Sequence, residues 1–123
     1  MNTTTELLKA RTKRFGLAII TFVNALPHTR ETEVIGKQLI RAALSVGANY
    51  RAACRARSQA DFVSKIGVVE EEADESGYWL EILRESQSTI DQRMDQLLKE
   101  ANELTAIFAA SEKTARRAQG SSK

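Results

Sequence analysis

Arg30, Lys37, Arg41, Arg51 and Arg55 are the residues whose type and spacing offer the most pointed chemistry. On a helix turning roughly 100° per residue they fall within about 80° of one another. A ladder of cations of this kind can follow a phosphate backbone, giving binding that is salt-sensitive and weakly sequence-specific. Leu44 and Ala48 fill the gap in the row. The competing reading is a solvated face, or one whose cations meet acidic groups of a neighbouring chain.

The acidic run Glu70, Glu71, Glu72, Asp74 and Glu75 is the second cluster. Helical bundles hold metal pairs with carboxylates plus Glu-x-x-His motifs. The only histidine here, His28, falls in an expected loop and no Glu-x-x-His occurs, so no metal site is expected. Pairing with Arg55, Arg57 or Lys65, within a subunit or between subunits, is the simpler role for the acids. Asn49 and Tyr50 lie in or beside an apolar seam, where a polar residue more often sets register and partner choice than performs chemistry. Cys54 has no histidine near it in sequence and reads as a structural thiol. Tyr78 and Trp79 stand out in a chain with 6% aromatic residues and are candidate core or interface anchors. Phosphate-binding glycine loops, zinc spacings and a nucleophile elbow are all absent from the sequence. No cofactor and no enzymatic activity are expected.

The composition bounds the setting. The chain has 123 residues, 42% hydrophobic and 28% charged, with a formal charge of +2. That length suits one domain spanning residues 1–123, and the mixture is that of a folded soluble chain. A charge of +2 does not by itself predict nucleic-acid binding; its uneven distribution is the informative part. A single cysteine excludes an internal disulfide and suits a reducing compartment. The N-terminus lacks the apolar run of a signal peptide and no stretch approaches transmembrane length. A cytoplasmic protein that does not enter a membrane is therefore expected.

Four amphipathic stretches must position these residues. The periodicity predicts helices over about 6–26, 31–56, 59–86 and 89–112, followed by a basic tail over 113–123. The first carries Leu8, Phe15, Ile19, Phe22 and Leu26 on one line, with Thr12 as a polar gap, and stops at Pro27. The second has a seam of Ile35, Leu39, Ala42, Val46, Asn49, Ala53 and Ala56, rich in small residues that permit close backbone approach. Gly36 and Gly47 in it each cost about 1 kcal/mol of helix propensity, which tight packing would offset. Ser58, three residues before Asp61, is the expected cap of the third helix. That helix has one line of Phe62, Ile66, Val69, Ala73, Leu80 and Leu83. A second line holds Glu72, Glu75, Trp79 and Ile82, which makes those four the candidate subunit interface. The fourth begins near Ser88 or Thr89 and has a heptad line of Ile90, Met94, Leu97, Ala101, Leu104 and Phe108. Four such helices with short connections predict an all-α fold, an antiparallel up-down-up-down bundle.

The strings IGKQLIRAA, SVGANY (Ser45–Tyr50), RARS and EEADESGYWLEIL, in this order and spacing over about residues 15–85, resemble the bacterial four-helix-bundle proteins encoded in 23S rRNA intervening sequences. The resemblance implies a bundle assembled as a ring-like homopentamer. The family is also similar to the accessory variability proteins of diversity-generating retroelements, which act with a reverse transcriptase and bind nucleic acid through a basic surface. Carried onto this chain, that similarity points to Lys37, Arg41, Arg51 and Arg55, and to RNA, DNA or a reverse transcriptase as partners. Where many relatives carry a glutamate two residues after the tyrosine, this chain has Ala52. The leading expectation is a non-enzymatic oligomeric bundle whose basic face contacts RNA or DNA. The alternative is a structural or protein-partner scaffold whose basic row is consumed in intersubunit ion pairs.

Overall fold

The computed structural model describes residues 3–86 and 91–121. They form four α-helices packed together: α1 (Thr3–Asn24), α2 (Arg30–Ala53), α3 (Gln59–Ser86) and α4 (Gln92–Ser121). No strand occurs among the described residues.

The helix ends at the α1–α2 and α2–α3 connections, and the start of α4, have local causes. At the end of α1 the Ala25 N–H donates to the Thr21 and Phe22 carbonyls (both 3.2 Å) and the Leu26 N–H to Val23 (3.1 Å). The turn tightens there because Leu26 precedes Pro27 and is disfavoured in helical geometry. Thr29 and Thr32 cap α2 reciprocally. The Thr32 N–H donates to the Thr29 hydroxyl (3.2 Å), and the Thr29 N–H to the Thr32 hydroxyl (2.9 Å). Threonine takes the position where a capping box usually has Glu or Gln, and the helix starts one residue earlier than expected. α2 ends at Ala53, short of the expected Ala56. The Arg55 and Ala56 N–H groups bond back to Ala52 (3.1 Å) and Ala53 (3.0 Å), closing three-residue turns. Ser58 then caps α3 as expected, accepting from the Asp61 N–H at 3.0 Å. The expected start of α4, Ser88 or Thr89, lies outside the described residues, as does Ile90. Asp91 accepts the Arg93 N–H on its side chain (2.9 Å) and the Met94 N–H on its carbonyl (3.0 Å).

The core joins the apolar lines of all four helices. Phe15, Ile19 and Phe22 meet Leu39, Ala43 and Val46, then Ile66, Val69, Leu80 and Leu83, and finally Met94, Ala101, Leu104 and Phe108. Thr12, the polar gap, is buried and satisfied because its hydroxyl donates to the Leu8 carbonyl at 2.8 Å. Three seam assignments need correction. Tyr50, not Asn49, is the buried member of the α2 seam, with its ring 5.2 Å from that of Phe108. Asn49 is half-buried and spends its amide on the Ser45 carbonyl of its own helix, at 2.8 Å. Val63 and Leu98 are buried where Phe62 and Leu97 were expected, the latter two being half-buried beside them. Adjacent residues lie only about 100° apart, so a wide apolar stripe admits either one.

The segment expected as a basic tail is helical as far as Ser121. α4 continues to Ser121 because Ala115 is buried and its carbonyl accepts the Gln59 side-chain amide at 3.0 Å. Arg116 also reaches back to Glu112 at 2.7 Å, an i, i+4 pair that supports the helix.

α2 packs on both α1 and α3, and α3 on α4, while α1 and α4 share a shorter seam. The α1–α2 contact is tight: a Cβ placed on Gly36 would lie 2.7 Å from Val23 Cγ1. Nothing lies within 4 Å of a Cβ placed on Gly67 in α3. Gly67→Ala is therefore expected to stabilise the protein by about 0.5–1 kcal/mol in urea unfolding, through helix propensity alone. Gly36→Ala should lose that gain to the clash with Val23, whose χ1 is stiff in a helix. A double-mutant cycle with Val23→Ala should show Gly36→Ala better tolerated when Val23 is shortened. Equal gains at both glycines would refute the close-approach explanation.

Candidate functional site

The row of cations is exposed along the outer side of α2. Arg30 is its first residue, Lys37, Arg41 and Arg51 follow on the helix, and Arg55 stands in the turn after it. Arg55 therefore does not occupy the helical position assumed for it, because the chain has left the helix at Ala53. Val34 and Leu44 lie among these cations, 60% and 45% exposed.

Within the row, one member differs from the rest. The Arg41 guanidinium donates to the Glu75 carboxylate of α3, lies 3.7 Å from Glu72 Oε1, and is 3.5 Å from the Gln38 side-chain oxygen. The same Glu75 oxygen accepts the Trp79 indole N–H at 3.0 Å. Among the described residues Arg30, Lys37, Arg51 and Arg55 form no ion pair. The acidic cluster thus answers Arg41 rather than Arg55, Arg57 or Lys65. Lys65 pairs instead with Asp61 at 2.6 Å, and the Arg57 backbone N–H also reaches that carboxylate at 3.3 Å. Lys65 first, then the Arg57 N–H, hold the Asp61 carboxyl below its usual range.

Glu72 is the unusual acid. Its Oε1 is shut off from solvent and has no hydrogen-bond partner, although Arg41 lies 3.7 Å away. Burial pushes its carboxyl above the ordinary range; the Glu75 charge adds to this, Arg41 opposes it, and Glu71 contributes least. Of the other interface candidates, Trp79 and Ile82 are half-buried and Trp79 packs against the core, with Tyr78 edge-on to it at 5.0 Å. Further round α3, Glu71, Asp74, Glu81 and Glu85 are exposed and make no ion pair among the described residues. The Arg41–Glu72–Glu75 contact was not foreseen. It joins residues over thirty positions apart, and only the register of α2 on α3 reveals it.

The remaining chemistry-bearing residues are scattered. Cys54 is a free, half-buried thiol in a cleft of about 450 Å³ with Thr5, Tyr50, Arg57 and Phe62. Burial, then the neighbouring Cys54, pushes the Tyr50 hydroxyl up to about 12. His28 is exposed beyond the opposite end of α2. Among the described residues no group of three or more His, Cys, Asp or Glu side chains is placed to hold a metal, and no helix is long and apolar enough to cross a membrane.

The sequence matches the family described as 23S rRNA-intervening sequence protein over residues 8–110. Among solved structures it is similar to a protein of unknown function from the S23 ribosomal protein family of Bacteroides thetaiotaomicron. The two share 28% identity and a TM-score of 0.78, over 86% of this chain and 98% of that one. No curated protein matches the sequence.

The raised Glu72 carboxyl has a consequence for stability. The folded state holds this proton more tightly than the unfolded chain, whose glutamate titrates near 4.5. The associated stability is thus fully present below that pH and is lost as pH rises through the folded value. Glu72→Gln removes the loss. It should unfold at a higher temperature than the unsubstituted protein at pH 7, with the difference closing near pH 4. A lower melting temperature for Glu72→Gln at pH 7 would show that its attraction to Arg41 outweighs burial.

Proposed function

Since the chain belongs to the family of 23S rRNA-intervening sequence proteins, we propose that it is a non-enzymatic, cytoplasmic bundle protein that lays the outer row of α2 along the phosphates of RNA or DNA. The observation that carries this reading is the state of Arg30, Lys37, Arg51 and Arg55: all four are exposed, and none is spent on an ion pair within the described residues. From Arg30 to Arg51 the helix rises roughly 30 Å at 1.5 Å per residue, long enough to follow several phosphates. Contacts to phosphate position a protein without reading bases, so the binding is weakly sequence-specific. The lone thiol suits a reducing compartment.

We further propose an antiparallel up-down-up-down bundle assembled as a ring-like homopentamer. The bundle direction is supported by contacts that descend along one helix as they ascend the next. Thr12 lies against Gly47 and Val23 against Gly36, while Gln59 meets Ala115 and Arg84 meets Asp95. The scaffold reading has its own support: Glu71, Asp74, Glu81 and Glu85 on α3 offer a neighbouring subunit a face of opposite charge to the α2 row. Such a head-to-tail interface closes into a ring when its rotation permits.

Two measurements on the Arg30/Lys37/Arg51/Arg55→Ala variant separate these readings. If the row meets phosphate, polyuridine RNA or duplex DNA binding should weaken, and the log–log salt slope should fall by about 3 to 4. The oligomer seen in sedimentation should stay intact. If the row is consumed between subunits, the oligomer should dissociate. Absence of binding by the unsubstituted protein at low salt would sink the phosphate reading, and a monomer would sink the ring.

A further inference from the structure

The centre of the basic row is occupied, and this carries an inference that rests on the phosphate reading above. We infer that Glu72 and Glu75 of α3 form an intramolecular clamp that competes with polyanionic ligand for Arg41, so that binding at the row requires Arg41 to exchange carboxylate for phosphate.

Four observations support the clamp. Arg41 is half-exposed and lies between Lys37 and Arg51 in the row, so its fork is within reach of a ligand that spans them. A guanidinium takes a phosphate in the same two-pronged way as a carboxylate, making the exchange chemically even. The contact is also incomplete. Glu75 accepts from Arg41, whereas Glu72 Oε1 stays 3.7 Å away, buried and without a hydrogen bond. Two carboxylates on one cation leave a net negative charge in the middle of a positive face. Finally, Glu75 keeps a partner when Arg41 departs, because the Trp79 indole N–H holds the same oxygen at 3.0 Å.

Exchange leaves Glu72 as the group most affected. It is faced by Arg41 from α2 and by Glu71 and Glu75 from its own helix. When Arg41 turns to phosphate, the one charge that opposed protonation of Glu72 is withdrawn and a further anion arrives. The Glu72 carboxyl is then pushed further above its ordinary range, so it holds a proton more readily with the phosphate in place. By linkage, affinity should rise as pH falls through the range in which Glu72 titrates.

The test uses Glu72→Gln/Glu75→Gln, which keeps side-chain shape and leaves an oxygen for the Trp79 indole. Labelling with an arginine-selective dicarbonyl, read by peptide mass spectrometry, reports on Arg41 without any nucleic acid, with Arg51 as the internal reference. The clamp predicts faster labelling of Arg41 relative to Arg51 in the variant. It also predicts polyuridine RNA binding roughly three- to tenfold tighter, from removing two weakly screened surface charges. Arg41→Ala should weaken binding in the unsubstituted protein, where it leaves Glu72 and Glu75 without a cation, and should cost more in the Gln/Gln background, where the freed guanidinium contributes a phosphate contact. The pH dependence of binding should flatten in Glu72→Gln alone. Unchanged Arg41 labelling, or equal affinities where the unsubstituted protein does bind, overturns the clamp and leaves the phosphate reading standing. No binding by either protein at low salt overturns the phosphate reading and, with it, the clamp's role in binding.

Discussion

Close packing of one stripe of α2 is the constraint from which the rest of the molecule follows. That stripe is built from Gly36, Leu39, Ala42, Ala43, Val46, Tyr50 and Ala53, all buried. At Gly36 there is no room even for a methyl group beside Val23. Two glycines within one helix cost about 2 kcal/mol of propensity, while burying Leu39 and Val46 alone stabilises the fold by about 3–6 kcal/mol. Packing wins. A helix of 3.6 residues per turn that commits such a stripe to two neighbours must turn its remaining residues outward. The basic row is therefore a consequence of the seam's register, and moving the seam by one residue would carry the cations toward the core.

The same register explains what could be read in advance. The line of α1 with its polar gap at Thr12, the α4 line from Met94 to Phe108 apart from Leu97, the stop before Pro27 and the Ser58 cap follow from local rules of period, φ restriction and capping. The small-residue character of the α2 seam was equally visible. What escaped was everything decided by a neighbour. Tyr50 rather than Asn49 fills the seam because Phe108 of α4 offers it a ring to pack against. The end of α4 reads as a polar tail until the Gln59 amide is found on the Ala115 carbonyl. Arg55 fits a helical row on paper, yet the turn needed to start α3 takes it off the helix.

The candidate site divides in the same way. That the cations share a face was legible, since this requires only the helical period. Which cations are free was not, because Glu72 and Glu75 lie on another helix. The acidic run suggested pairing with nearby Arg55, Arg57 or Lys65. In the folded chain Lys65 is taken by Asp61 one turn away, and the acids face Arg41. Local pairs form first in any reading of a sequence, and here the local pair set the long-range one free to differ.

Arg11 and Arg41 each lie against two carboxylates, and their difference bears on function. Arg11 of α1 makes a two-pronged contact with Glu100 of α4 (both bonds 2.7 Å) and a third bond to Glu103 at 2.9 Å. Those bonds, Glu100 first, strengthen its hold on its proton against the opposing effect of burial. It spans the shorter α1–α4 seam, where side-chain bonding compensates for the smaller contact. Arg41 has one carboxylate in hydrogen-bond contact, a second at 3.7 Å, and a buried oxygen left unbonded between them. An exposed pair of that kind contributes at most about 1 kcal/mol, little enough for a phosphate to displace it. Arg11, whose Nε and Nη2 are held by acids on the neighbouring helix, has less to gain from a new anion. The structure thus contains both a fixed and an exchangeable arginine, and the exchangeable one lies in the middle of the only row that faces outward with its other cations free among the described residues.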